Sequence, residues 1–177
     1  MVDAKRIKTI SFFAALCLFL SAVEYAFPKP LPFMRIGLAN LPVLLSLPIM
    51  RRRDTLLLVT IKVLGQNLLA GTLFSYILLF SAAGSFASAL VMMALYTLFF
   101  TRRQISFFGL CVGGALANNA AQLLLARFIL FGESTRYIAP LLLTTGLISG
   151  SLLGLFSQRF ATKSRWYATV RKELCAL

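Results

Sequence analysis

The side chains able to do chemistry in this sequence are few, and most of them are amides. One apolar stretch carries Lys62, Gln66 and Asn67, and another carries Asn118, Asn119, Gln122 and Arg127. Glu24 stands near the end of the first apolar run, and Arg35 and Asn40 stand just before the second. Lys62 and Gln66 are four apart, as are Asn118 and Gln122, so each pair shares a helix face. Ionisable and amide groups inside apolar segments are costly and turn toward a cavity or another helix. Such groups bind and orient a molecule, but they do not provide a nucleophile with its base. The chain has no His, and its five acidic residues include only two aspartates, Asp3 and Asp54. There is no Ser/His/Asp set and no carboxylate pair, so an enzyme is not expected. Cys17, Cys111 and Cys175 form no C-x-x-C, and without His they exclude a disulfide framework or an ordinary zinc site. Neither a metal nor a cofactor is expected. The absence of a G-x-x-x-x-G-K-[S/T] loop means that the chain cannot drive transport alone.

Hydrophobic residues make up 59% of the chain and charged residues 13%, against roughly 45–50% and 25% in soluble domains. So apolar a chain has too little polar surface to face water all round and belongs in a membrane. The expected fold is an all-α integral membrane protein, a single domain over 1–177 with no linker. Six transmembrane helices are expected at about 9–27, 38–50, 54–70, 82–100, 106–131 and 138–156, followed by a basic cytoplasmic tail at 157–177. Lys5-Arg-Ile-Lys8 before an apolar run has the outline of a signal peptide and is expected to be kept, ahead of the first helix. Asp54 is the expected N-cap of the third helix.

The net charge of +13 is not a nucleic-acid signal, because the basic residues sit between apolar runs. With six alternating spans, thirteen Lys and Arg fall on one side: Lys5, Arg6 and Lys8, Arg51 to Arg53, Arg102 and Arg103, and five from Arg159 to Lys172. Lys29, Arg35, Arg127 and Arg136 fall on the other. The bias places both termini in the cytoplasm, in the inner (plasma) membrane, with the basic loops against anionic lipid.

The segment from Pro28 to Met50 organises the rest. Pro28, Pro30 and Pro32 forbid helix and hold an extended, stiff loop at the outer mouth. Gly37 follows as a hinge, and then a short helix bent by Pro42 and Pro48. Helices three and five run outward, so four segments bring polar groups to a similar depth, as a ligand pocket requires. Each group also has a structural role open to it. Lys62 can snorkel, Arg127 can anchor at the interface, the amides can join neighbouring helices, and Glu24 can pair with a basic neighbour. Lys62, Arg35 and Arg127 outnumber Glu24, so a pocket here leans positive and suits an anionic or electron-rich solute.

Small residues mark where helices approach closely. They stand at Gly146, Gly150 and Gly154, along 113–121, at Ser11 and Ala15, and at Ala22 and Ala26. Internal packing is the first expectation for each stripe.

Leu31-Pro-Phe-Met-Arg-Ile-Gly-Leu-Ala-Asn40 resembles the Gx transporter family, whose members also carry the label heptaprenyl diphosphate synthase component I. The likeness is a Pro-rich segment, a basic residue, Gly-Leu-Ala-Asn and an apolar helix. It extends over nearly the whole chain, including Lys62, where the family has Arg, and Asn119 and Gln122 as Asn-x-x-Gln. Asn118 stands where the family has His. The family is similar to the substrate-binding S components of energy-coupling factor transporters. The resemblance therefore implies an S-component-like bundle with an outward lid loop. It also implies a small-molecule ligand, a membrane coupling subunit and two ATPase subunits. Ser11-x-x-x-Ala15, in place of the usual Ala-x-x-x-Ala, would dock onto the coupling subunit. The pocket expected on these grounds is lined by Arg35, Asn40, Lys62, Gln66, Asn119 and Gln122, with Arg127 and Glu24 at the mouth. The synthase label does not suit the chemistry, since prenyl elongation needs Asp-rich motifs to hold Mg²⁺. The alternative is a non-catalytic membrane scaffold for prenyl-lipid or quinone synthesis, or for an electron-transfer complex.

Overall fold

The computed structural model describes residues 2–26, 37–100, 104–165, 167 and 169, and among them every regular element is helical. Helix α1 is Val2–Ala26. A 3₁₀ turn at Leu38–Asn40 leads into α2, Leu41–Ser46. Then come α3 at Arg52–Leu69, α4 at Tyr76–Leu95, α5 at Phe107–Leu125 and α6 at Thr135–Lys163. Wider π turns at Tyr96–Phe100 and Ala126–Phe131 extend α4 and α5. Three runs are long and apolar enough to cross a membrane: Arg6–Ala26, Tyr76–Phe100 and Phe107–Lys163. The chain is thus a helical membrane protein.

The expected second span over 38–50 is reduced to the six residues of α2. Pro42 suits a helix start, where no N–H is needed, but Pro48 has no N–H to continue the ladder. Helix α3 has 18 residues but carries Arg52, Arg53, Asp54 and Lys62, so it is not among the three apolar runs. Asp54 is not its N-cap. Arg51 holds that position in extended backbone, and Asp54 lies in the first turn, where a carboxylate complements the helix dipole. There it accepts both a 2.9 Å bond from Arg6 Nε and a second from Arg6 Nη2, a bidentate pair joining α1 to α3. At the other end Gly71, with φ 67°, closes α3. Thr72 N–H bonds Asn67 O at 2.9 Å and Gly71 N–H bonds Leu68 O at 3.1 Å, the paired bonds of a Schellman turn. Helix α4 starts at Tyr76, earlier than expected, because the Ser75 hydroxyl accepts from Ile77 N–H and caps it.

Contacts give the helix directions. Arg6 with Asp54 and Ser21 with Gln66 make α1 parallel to α3. Lys62 with Ser85 and Gln66 with Ser81 make α4 antiparallel to α3. Gly84 faces Asn118 while Gly114 faces Met92, so α5 reverses again. Gly146, Gly150 and Gly154 face Asn119, Ala115 and Phe108, so α6 folds back along α5. A Cβ on Gly150 would meet the Ala115 Cβ at 2.8 Å. This stripe is internal packing, as the first expectation had it.

Toward the basic end lies an apolar core that includes Phe13, Cys17, Leu44, Leu58, Met92 and Leu110. Tyr167 joins it, its hydroxyl donating to Leu45 O at 2.9 Å. Of the expected basic tail, 157–163 belong to α6 and Tyr167 docks on α2.

Candidate functional site

Beyond that core, the helices bury a layer of polar side chains around one face of α4. Ser81 and Ser85 are four apart, as are Gly84 and Ser88, so the two pairs form adjoining facets of that face. The first facet meets α3. Lys62, 2% exposed, donates from Nζ to Ser85 Oγ at 3.0 Å and to Asn40 Oδ1. Gln66 Nε2 donates to Ser81 Oγ at 2.5 Å, and Gln66 Oε1 accepts from Ser21 of α1 at 3.2 Å. Asn67 Nδ2 donates to Ser81 Oγ at 3.0 Å and Val63 O at 2.7 Å, while its Oδ1 accepts from Thr72 at 2.9 Å. Glu24, buried near the end of α1, accepts the Gly37 N–H at 3.2 Å. Gly37 has φ 94°, a left-handed value that favours glycine, which fits a hinge.

The second facet meets α5. Asn119 Nδ2 donates to the Leu142 carbonyl of α6 at 2.5 Å, and its Oδ1 accepts from Asn118 at 3.3 Å. Gly84 leaves room for the Asn118 and Gln122 amides, as a Cβ there would run into Asn118 Oδ1 and lie 3.1 Å from Gln122 Nε2. Gln122 is fully buried at 0% exposure, yet among the described residues neither its amide oxygen nor its nitrogen has a hydrogen-bond partner. Ser88 Oγ, also buried, is likewise bare. Beside it a cavity of about 20 Å³, room for a single water, lies between the start of α2 and helices α4, α5 and α6. Asn40, Ser88, Asn118, Asn119, Gly146 and Ser149 line it. Asn40 therefore touches both facets.

The structure brings together Asn40, Lys62, Gln66, Asn119 and Gln122, but around α4 rather than in one space between α2, α3 and α5, while Glu24 bonds the Gly37 N–H ahead of α2. Arg127 is not part of the layer. The π turn carries it to the surface, where its side chain is 56% exposed and pairs with Glu133 at 2.6 Å. Without Arg127, the described layer holds one cation, Lys62, and one carboxylate, Glu24. Arg35 and the Pro28–Pro32 loop lie outside the described residues. Ser11 and Ala15 are exposed on α1, while Ile10, Phe13, Ala14 and Cys17 pack inward. Sequence reasoning missed Ser21, Ser81, Ser85 and Ser88. The i, i+4, i+7 spacing of the last three marks one helix face and could have found them.

The family model described as heptaprenyl diphosphate synthase component I matches residues 13–160. No curated protein and no solved structure matches the chain.

Proposed function

The chain belongs to the heptaprenyl diphosphate synthase component I family, and we propose that it is the substrate-binding membrane subunit of an energy-coupling factor uptake transporter. Its solute is small and anionic or electron-rich. The observation that carries this reading is Gln122, a fully buried amide whose polar atoms have no partner among the described residues. Leaving such a group bare costs on the order of 1–3 kcal/mol, and buried polar atoms almost always have partners. A solute entering between the Gly84–Ser88 facet and α5 would supply them, with Asn40 and Asn118 beside it. The cavity beside Ser88 and Asn118 holds only a water and Gln122 is not in its lining, so binding requires α5 to draw back from the Gly84–Ser88 facet. The loop at Pro28–Pro32 is the proposed lid.

In this reading six segments enter the membrane, both termini are cytoplasmic, and the membrane is the inner (plasma) membrane. The alternating helix directions and the basic residues at one end support that topology. Energy comes from a membrane coupling subunit and two ATPases, since the sequence has no nucleotide loop. The outward-facing Ser11 and Ala15 are the proposed contact with the coupling subunit. The chain is not itself a prenyl-elongating enzyme. Of its two aspartates, Asp54 is held by Arg6, which removes it from the hydrated Mg²⁺ chemistry of a diphosphate.

A second reading, a non-catalytic scaffold, draws support from the fully bonded α3 facet. Mass spectrometry of small molecules that co-purify with the protein separates the two. The expected result is one compound near stoichiometric amount in the wild type and depleted in Gln122→Met. A wild type that carries none, taken from cells and medium that supply its solutes, favours the scaffold.

A further inference from the structure

A second recess lies at the basic end of the bundle, distinct from the polar layer. It has a volume of about 250 Å³ and sits where the end of α2, the start of α3 and the end of α4 meet. Thr55 at its wall and Lys62 in the layer are seven residues apart on α3, about 10 Å along the axis. Its floor is apolar, from Leu47, Met50 and Met93. Its rim carries Arg51 and Arg52, both exposed, and the partly buried Tyr96. Arg52 Nη2 donates to Thr97 Oγ1 at 3.3 Å, so one guanidinium is already oriented along the rim. Tyr96 lies in the last turns of the membrane run Tyr76–Phe100, where an aromatic ring with a polar tip suits the headgroup level.

We propose that this recess binds the phosphate headgroup of an anionic phospholipid. Two guanidiniums on one rim match phosphate oxygens in charge and in fork geometry. The apolar floor suits the upper acyl carbons, which a soluble phosphate lacks. The volume is below the ~300–1,000 Å³ of sites for whole drug-sized ligands and fits a headgroup. Position adds to this, because the recess opens at the end where Arg6, Arg159 and Lys163 also gather. Anionic lipid is concentrated by such clusters, and the recess gives it one defined seat. This inference requires only that the chain spans a membrane and is independent of the transport reading.

Native mass spectrometry of the full chain in detergent tests it, with phosphatidylglycerol, phosphatidylcholine or soluble glycerol phosphate added. The expected result is one tightly held phosphatidylglycerol per chain, with phosphatidylcholine at least about tenfold weaker. Arg51→Gln with Arg52→Gln should weaken that lipid about tenfold or more. Arg159→Gln with Lys163→Gln removes equal charge from the same end outside the recess and should change it less than about twofold. Equal loss from both pairs would reduce the effect to general charge and overturn the site. Displacement of the lipid by glycerol phosphate at matching concentration would make it a soluble-phosphate site instead. No stoichiometric lipid in the wild type would also overturn it.

Discussion

The two facets of α4 receive similar side chains and treat them differently. Lys62 and Gln66 on α3, and Asn118 and Gln122 on α5, are both polar pairs four apart on a helix. Toward α3, α4 presents the hydroxyls of Ser81 and Ser85, and Lys62, Gln66 and Asn67 all bond to them. Toward α5 it presents Gly84, which offers Gln122 space and no hydroxyl. Ser88, the one hydroxyl on that facet, is itself bare. The α3 facet is therefore a polar seam that holds helices together, as amides and hydroxyls do inside membranes. On the α5 facet the close approach made possible by glycine leaves polar groups whose needs the protein does not meet. Burial alone does not distinguish the two facets, but partner accounting does.

The largest expected effect comes from crowding Asn119, the α5 amide that bonds across to α6. In Gly146→Ala the new methyl runs into the Asn119 amide, which must leave Leu142 O. Overpacking of this kind costs about 1–3 kcal/mol, and thermal unfolding in detergent should record it as a clear loss. An unchanged melting temperature would mean that α6 does not press on Asn119 as described. Next is Asn67→Leu, near in shape but unable to bond Val63 O, Ser81 or Thr72. A cost of about 1–3 kcal/mol is expected, read in the same assay. Gln122→Met should instead lie within about 0.5 kcal/mol of wild type or be more stable, since no bond is lost. If it costs as much as Asn67→Leu, Gln122 has a partner in the resting protein and the contrast between the facets collapses. The smallest effect on the fold is expected from Ser11→Leu with Ala15→Leu, whose sites face outward. Stability should move by less than about 0.5 kcal/mol, while co-purification of coupling subunits is lost. Retained co-purification would send the docking proposal elsewhere.

Much of this was legible in the sequence because membrane segments make polar residues conspicuous. The buried positions of Lys62, Gln66, Asn119, Gln122 and Glu24 followed from residue type and spacing. Gly146, Gly150 and Gly154 announced a close helix contact. The serines escaped because a hydroxyl is tolerated at many positions of a membrane helix and gives little signal singly. The Leu142 carbonyl escaped because a backbone acceptor has no residue signature. Asp54 looked like a cap because acids favour helix starts, and nothing local shows that Arg6, 48 residues away, claims it. Arg127 was assigned to the mouth by its depth near the outer end of the fifth helix. The π turn at Ala126–Phe131 breaks the helix period and turns it out to Glu133. The second span was drawn too long because its apolar composition outlasts its helix, which Pro48 interrupts.

The most direct test is the affinity of the co-purifying solute, measured by titration calorimetry on wild type and Gln122→Met. If the solute completes the bare amide, Gln122→Met should bind about tenfold or more weakly, roughly 1.4 kcal/mol, with its melting temperature unchanged. Equal affinity in the two proteins would contradict the placement of the solute at Gln122.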